Sequence, residues 1–203
     1  MKKLLLLLPV LLLFSFTVNN TGLSKKEKKF AARYLKETHQ ALEQAVSGLS
    51  AAQLDFKPAA DKWSIKECVY HLALSENNLW AWIYGVIKAP ANPEKRSEIK
   101  MTDAQVMTGL ADRTTNVKTM EPFEPKNAKW NNVSEALTAL KAARDGHADY
   151  MKATTEDLRN HVAPQTPIGA MDAYQLVLFM SAHTTRHTKQ IEEIKADPNF
   201  QKN

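Results

Sequence analysis

Two histidines near the C-terminal end of the chain have the spacing of metal ligands. His183 and His187 are four residues apart, and the segment from Ala173 to Lys195 contains neither glycine nor proline. On a helix, residues four apart lie on the same face, roughly 6 Å apart along the axis. Two neutral imidazoles that close together can bind one divalent metal, as they do in zinc motifs with histidines at i and i+4.

The same two histidines interrupt an apolar stripe. Apolar residues recur at helical spacing along this segment and predict a face turned to the core: Leu176, Val177, Met180, Ile191 and Ile194. His183 and His187 fall inside that stripe. Because burying an imidazole without a partner is costly, something inside the fold must satisfy them. A metal would do so, and so would hydrogen bonds to neighbouring side chains or carbonyl groups, the usual environment of a single core histidine.

Other residues could take part in the same chemistry. His71 stands beside Cys68 and Leu72 at the shoulder of an apolar stripe, and its spacing leaves open whether it faces the core. Cys68 could lie near a metal, although a small buried thiol is the commoner environment of a free cysteine. Glu76, five residues after His71, could act as a catalytic acid or base, against the alternative of a solvated or helix-pairing glutamate.

Three further polar residues favour structural roles. His39 and His147 are interpreted as surface residues or as satisfied core histidines. Arg186, which precedes His187, is expected to form an ion pair with a carboxylate rather than to contact a substrate.

The elements that would position these residues are predicted to be helices. Five short polar residues are each followed three positions later by Glu or Gln, which is the capping-box signal of a helix start. The predicted helices run from about Ser24 to Ser47, Ser64 to Lys88, Thr102 to Met120, Val133 to Thr155 and Asp172 to Lys195. No segment shows the sustained alternation of a strand. This pattern predicts an all-α, single-domain bundle, up-down with a long connection.

The first 22 residues have the composition of a signal peptide. A basic start, Met1 to Lys3, precedes an apolar run of 13 residues from Leu4 to Phe16. That run has the length of the apolar region of a secretory signal and is shorter than the ~20 residues of a spanning helix. We therefore predict a signal peptide over residues 1–22, a domain over residues 23–203 and export to the periplasm or the medium, with no stable membrane span. An uncleaved membrane anchor is the alternative.

Composition argues against nucleic acid as a partner and against disulfide bonds. The 203 residues carry 27 Lys and Arg against 22 Asp and Glu, a net charge of +5 that falls to +3 once Lys2 and Lys3 are removed. A balance this mild, without a long basic run, is not the footprint of a nucleic-acid-binding protein. The single cysteine, Cys68, allows no intramolecular disulfide.

Several short motifs occur in a particular order along the chain: Trp63-Ser64-Ile65, Glu67, His71-Leu72, Gly169, Asp172-Ala173-Tyr174-Gln175, His183, Arg186-His187 and Gln190-Ile191. Their order and separation resemble the DinB-like superfamily of metal-binding four-helix bundles, from about Ser24 to Asp197. The resemblance implies a four-helix bundle with one long crossover, here with an additional short helix. It also implies a divalent metal held by one histidine from an early helix and two from the last, which in this chain are His71, His183 and His187.

The resemblance also limits the range of functions to be expected. Members of the family include thiol S-transferases and many proteins labelled only as metal-dependent hydrolases. Three imidazoles leave coordination positions open for water or a substrate, which is the layout of a catalytic metal site, and zinc or nickel suits such ligands best. We therefore expect a secreted metal-dependent hydrolase that acts on an unidentified small molecule.

Two alternatives stay open, and with them the question of whether the chain is an enzyme. One is a thiol S-transferase that uses the same site; the predicted leader counts against it, because the thiol cofactors of that chemistry are mainly cytosolic. The other is a non-catalytic bundle that binds a metal or another ligand. The sequence also leaves a homodimer open and does not identify the native metal.

Overall fold

The fold is built almost entirely from helices. In the computed structural model, which describes residues 22–114 and 118–201, the α-helices are α1 (Lys25–Val46), α2 (Ala51–Asp55), α3 (Ile65–Lys88), α4 (Asp103–Ala111), α5 (Val133–Ala153) and α6 (Ala173–Lys195). Short 3₁₀ helices span Pro93–Glu98, Glu121–Phe123, Pro125–Asn127 and Leu158–Asn160. Two short strands, β1 (Val162–Ala163) and β2 (Met171–Asp172), pair antiparallel just before α6. The predicted leader, apart from Gly22, lies outside the described residues.

The four long helices form a bundle. α1 and α3 each pack against both α5 and α6, and α4 packs against α6. The helices that follow one another in this set, α1 with α3 and α5 with α6, are therefore diagonally opposite. A long crossover over residues 89–132, which contains α4, joins α3 to its neighbour α5. The predicted all-α four-helix bundle with an additional short helix is confirmed.

Helix starts follow the predicted capping signals. Complete capping boxes, with reciprocal hydrogen bonds between the cap and the third helical residue, begin at Ser24, Ser64, Thr102 and Asp172. Asn132 caps α5 by accepting the N–H of Glu135. A further box at Ser50 starts α2, which the sequence pattern did not predict because a helix of five residues is too short to show an apolar period.

The third predicted helix is shorter than expected. The sequence pattern extended it from Thr102 to Met120, whereas α4 ends at Ala111; residues 115–117 of the predicted span lie outside the described residues. The Asp112 side chain accepts the N–H of Thr114 at 2.8 Å, which offers the backbone an alternative to another helical turn. The prediction of a long third helix was therefore wrong at its C-terminal end.

A buried arginine links the four long helices at the centre of the bundle. Arg144 of α5 is 2% exposed, and its guanidinium donates to the Thr38 hydroxyl of α1 at 3.0 Å and to the Thr184 hydroxyl of α6 at 2.6 Å. Backbone carbonyl oxygens of α1 and α6 also accept from it. Its Nε lies 2.7 Å from Oε1 of Glu76 in α3. One side chain therefore holds α1, α3 and α6 to α5.

His39 of α1 is buried among poor partners. It is 3% exposed, and within the described residues neither ring nitrogen makes a hydrogen bond of good geometry, although Nε2 lies 3.3 Å from Oε1 of Glu43. Burial lowers the pKa of His39, and the nearby Glu43 carboxylate offsets part of that effect. The sequence allowed a surface or a satisfied core histidine, and the structure shows a core position with incomplete hydrogen bonding.

Replacing His39 with leucine is expected to flatten the acid side of the pH–stability curve. As the pH falls below about 6.5, the unfolded chain takes up a proton at His39 while the folded chain, whose pKa at that position is lower, does not. The free energy of unfolding of the parent protein therefore decreases as the pH is lowered. The part of this decrease that comes from His39 should be absent from the variant. Denaturant unfolding of both proteins between about pH 8 and pH 5 measures the difference. A variant whose stability falls as steeply as that of the parent would contradict the prediction.

Candidate metal centre

Three histidines from two helices converge on one point. His71 lies in the second turn of α3, while His183 and His187 are one turn apart on α6. The Nε2 atom of His183 is 3.1 Å from the Nε2 atoms of both His71 and His187. The pair singled out by its spacing and the histidine added by the resemblance are thus brought together, although His71 and His183 are 112 residues apart in the chain.

Hydrogen bonds at the far side of two of these rings set their tautomers. Nδ1 of His71 is 2.8 Å from the carbonyl oxygen of Phe123, and Nδ1 of His187 is 2.9 Å from Oε1 of Gln190. With the oxygen of the Gln190 amide toward the ring, as here, both partners are acceptors, so both Nδ1 atoms carry the hydrogen and both Nε2 atoms present lone pairs to His183. A single hydrogen on Nε2 of His183 can satisfy one of those lone pairs but not both.

The donor set fits a divalent metal. Imidazole nitrogens bound to one ion at about 2.0–2.1 Å lie about 3.0–3.4 Å apart, depending on the coordination angle. The two observed separations of 3.1 Å fall in that range, and within the described residues these three histidines form the group with metal-ligand geometry. Cys68 is fully buried, which raises the pKa of its thiol to about 12, and it is not among the residues whose ligand atoms converge here. Three nitrogen donors without a thiolate suit zinc or nickel.

Burial keeps the three imidazoles neutral. Loss of hydration lowers the pKa of His71 and holds the pKa values of His183 and His187 well below the usual histidine range. The neighbouring His71 ring and the guanidinium groups of Arg144 and Arg186 lower the pKa of His183 further. Since a metal binds neutral imidazole, these rings are in the binding form at neutral pH.

An indole ring and a cavity border the three histidines. The Trp63 ring centroid is 4.9 Å from that of His71 and 5.9 Å from that of His187. A cavity of about 430 Å³ shares Trp63 with the site and is lined by charged residues of both signs, among them Glu124 and Lys126. The indole therefore covers one side of the histidine cluster, and space for a small molecule lies next to it.

Comparison with known proteins assigns the chain to a family. The sequence profile of the DinB superfamily matches residues 34–191, most of the chain. The chain belongs to the DinB superfamily. A similar protein is the uncharacterised YuaE of Bacillus subtilis (strain 168), which is 25% identical over 151 residues that cover 74% of this chain and 88% of YuaE.

A solved structure shares the fold of this DinB-superfamily chain. YfiT from Bacillus subtilis, described as a probable metal-dependent hydrolase with an unusual four-helix bundle topology, aligns with a TM-score of 0.59. The alignment covers 85% of this chain and 88% of YfiT at 17% sequence identity. At 17% sequence identity, this similarity establishes that the two chains share the four-helix-bundle fold.

Three residues at this DinB-superfamily site were not predicted to contact its histidines. Phe123 contacts His71 through its backbone carbonyl group. Every residue has such a group, so the residue type gives no signal of this contact. Gln190 follows His187 by three residues, a spacing that places it beside that ring on a helix, and this signal could have identified it. Trp63 belongs to a motif that carried the resemblance, but its contact with the rings depends on how α3 and α6 pack.

Glu76, predicted as a catalytic acid or base, lies in a different polar cluster of the DinB-superfamily bundle. Its side chain is 2% exposed, and Oε1 accepts from Nδ1 of His147 at 2.8 Å beside the ion pair with Arg144. Burial by itself would raise the pKa of Glu76, but Arg144 and His147 outweigh it and hold the pKa below its usual value. An ionised carboxylate with two partners is poorly prepared for proton transfer, and its catalytic role stays a prediction. His147 is a satisfied core histidine, one of its two predicted environments.

Two cations of α6 attach α4 to the helix that carries two of the histidines. Arg186, for which an ion pair with a carboxylate was predicted, donates to the backbone carbonyl oxygens of Leu110 and Asp112. Lys189 donates to the carbonyl oxygen of Ala111 at 3.1 Å. These bonds use the carbonyl groups that a helix leaves without partners at its C-terminal end. They fix the start of the segment that follows α4 against the metal-centre helix.

Proposed function

We propose that this protein is an exported metal-dependent hydrolase of the DinB superfamily that holds one divalent ion with His71, His183 and His187. The observation that carries the proposal is the convergence of three Nε2 atoms, two of which are kept unprotonated by a hydrogen bond at the opposite ring nitrogen. Zinc and nickel suit this donor set best. Membership of the superfamily, and a bundle shared with a protein described as a probable metal-dependent hydrolase, support the same chemistry.

The residues of the chain would supply binding, orientation and exclusion of water. A divalent ion held there would supply Lewis acidity for the activation of water. Phe123 and Gln190 hold two of the rings with Nε2 turned to the point where the three histidines converge. Trp63 covers one side of the ligands, with its ring packed against those of His71 and His187.

We propose a small molecule as the substrate. The cavity of about 430 Å³ beside Trp63 is of a size that suits such a ligand. Its lining includes carboxylates and ammonium groups, which favours a polar substrate over an apolar one. We do not propose nucleic acid as a partner, because a net charge of only +5 is too small to favour its binding.

Metal analysis tests the proposal at its foundation. Protein purified without a histidine tag is expected to carry about one divalent ion per chain, and a variant with alanine at His71, His183 and His187 should carry none. His161 is a suitable control, because its Nδ1 contacts the carbonyl oxygen of Val86 away from the site. The variant His161→Ala should keep the ion. Metal that survives in the triple variant would refute the proposed ligands.

Activity assays separate the hydrolase from its alternatives. Metal-loaded protein is expected to hydrolyse members of a panel of activated esters, amides and phosphoesters, and the triple histidine variant should not. Thiol-dependent turnover with low-molecular-weight thiols, in place of hydrolysis, would favour the S-transferase. A protein that binds metal stoichiometrically but turns over neither panel would favour the non-catalytic bundle.

The proposed export has its own test. No helix within residues 22–114 and 118–201 is both long and apolar enough to cross a membrane. The apolar run from Leu4 to Phe16 is the segment on which export depends in this proposal. Protein expressed from the full sequence is expected outside the cytoplasm with an N-terminus near residue 22. An intact N-terminus on protein recovered from the cytosol would refute the proposal.

A further inference from the structure

A chain of three hydrogen bonds runs outward from one of the histidines. Nδ1 of His187 is 2.9 Å from Oε1 of Gln190, and the same oxygen lies 3.3 Å from NH1 of Arg113. Nε of Arg113 donates to Oε1 of Glu193 at 2.8 Å. The arginine follows the end of α4, whereas the other three residues lie one after another on α6. Arg113, which is 77 positions away from Gln190 in the sequence, is therefore connected to His187 through the Gln190 amide.

The two faces of the Gln190 amide would have opposite effects on His187. With Oε1 toward the ring, the amide accepts a hydrogen from Nδ1, and the lone pair of the imidazole is left on Nε2. With the NH₂ group toward the ring, the amide donates to Nδ1, and the hydrogen of the imidazole moves to Nε2. Only the first tautomer can bind a metal through Nε2. The orientation of one amide group therefore decides whether His187 can be a ligand.

Arg113 removes the ambiguity, because a guanidinium has N–H donors and no acceptor. Facing Arg113, the Gln190 amide must present its oxygen, and the same oxygen then faces His187. Glu193 fixes the guanidinium in place from its other side. Arg113 is 17% exposed at its side chain, so the contact is largely shielded from competing water.

We propose that Arg113 is a positioning residue for the metal centre: by fixing the Gln190 amide, it selects the tautomer of His187 that leaves Nε2 free to bind. The inference rests on the proposed metal site but assigns a role to a residue that is neither a ligand nor in contact with one. Groups that orient ligating histidines typically change metal affinity by about 10–100-fold when they are removed. Arg113 would act through a second side chain rather than directly.

The decisive experiment compares the loss of Arg113 in two backgrounds. Arg113→Ala is expected to weaken zinc binding about 10–100-fold, because the freed amide can turn its NH₂ group toward His187. Glutamate in place of Gln190 has no donor face, so it accepts from Nδ1 in either orientation. In the Gln190→Glu background, Arg113→Ala should therefore change the zinc affinity by less than about threefold. Competition titration against a chelator of known affinity measures all four proteins.

Lys189→Ala is the matched control. Lys189 attaches the same end of α4 to α6 through the carbonyl oxygen of Ala111, but it stands outside the hydrogen-bond chain. If docking of α4 were the reason for the effect of Arg113, Lys189→Ala would weaken zinc binding by a similar factor. A similar loss in Lys189→Ala, or an equal loss on removing Arg113 in both backgrounds, would overturn the inference.

The tautomer itself can be observed without any metal. Two-bond ¹⁵N–¹H correlation spectra of the metal-free protein distinguish an imidazole with its hydrogen on Nδ1 from one with its hydrogen on Nε2. His187 should carry the hydrogen on Nδ1 in the parent and shift toward Nε2 in Arg113→Ala, with the parent state restored by adding Gln190→Glu. An unchanged His187 tautomer in Arg113→Ala would overturn the inference even if zinc binds as proposed. Absence of zinc binding in the parent would instead refute the proposed function and leave the tautomer result to decide this inference.

Discussion

Replacing Arg144 with methionine is expected to lower the free energy of unfolding by about 3–5 kcal/mol, the usual cost of removing one partner of a buried ion pair. Methionine fills a similar volume, so the expected loss comes from electrostatics and hydrogen bonding rather than from a cavity. The Glu76 carboxylate, 2% exposed at its side chain, would stay buried without its cation. The Thr38 and Thr184 hydroxyl groups would each lose a donor at the same time.

Denaturant unfolding at neutral pH, with the metal content held fixed, measures this loss. In thermal unfolding, a chain of this size should melt roughly 10 °C lower, since each kcal/mol is worth about 2–4 °C. Adding Glu76→Gln to the Arg144→Met variant should recover a substantial part of the stability, because no unpaired buried charge remains. If the double variant were no more stable than Arg144→Met, an unpaired carboxylate would not be the cause.

A surface ion pair offers the matched control for Arg144. Arg33 and Glu37 lie one helical turn apart on α1 at 3.4 Å, and both side chains are 57% exposed. Arg33→Met should cost no more than about 1 kcal/mol, because solvent screens the pair and side-chain entropy opposes it. The contrast between the two arginines isolates the effect of burial from the effect of losing a guanidinium group.

The helices could be predicted from the sequence because their signals are local. Each long helix begins at a residue whose side chain caps the backbone a few positions on, and each carries an apolar stripe of the right period. The end of α4 could not be predicted in this way. Besides the local turn at Asp112, the carbonyl groups at that end accept from Arg186 and Lys189, cations that approach from a helix more than 70 residues later in the chain. The diagonal placement of successive helices is likewise a property of packing and not of any one segment.

In the candidate site, too, some residues have a local sequence signal and others depend on how the helices pack. His183 and His187 were identified from spacing alone, because both lie on one helix and interrupt one stripe. Their partner on α3 needed the family resemblance, since nothing within a helix tells which other helix it will face. Glu76 lies five residues after His71, a spacing that turns its side chain away from the face of His71, and in the structure it contacts Arg144, while its catalytic role stays a prediction. Arg113 could not have been found from the sequence at all.

Removing the metal from the proposed site is expected to lower the melting temperature while leaving the helices folded at room temperature. His71 and the α6 histidines would connect α3 to α6 across 112 residues of chain, so the ion acts as a cross-link in the native state alone. At a hundredfold excess over Kd such binding is worth roughly 3 kcal/mol. That corresponds to a shift of roughly 6–12 °C for a chain of this size. The bundle should survive the loss because its helices carry complete apolar stripes and a centre held by Arg144.

Chelator titration followed by far-ultraviolet circular dichroism tests this expectation, with His187→Ala as the informative variant. The variant should keep the helical signal of the parent but show no metal-dependent shift, because two imidazoles bind more weakly than three and the chain loses the ligand that Gln190 orients. His161→Ala, which alters a histidine outside the cluster, should keep the full shift. Outright unfolding by chelator would mean that the ion is structural, and the hydrolase proposal would lose most of its support, since a structural ion has its coordination positions filled by the protein. No change at all, in protein shown beforehand to carry the metal, would mean that the three histidines are core residues and that the ion binds elsewhere.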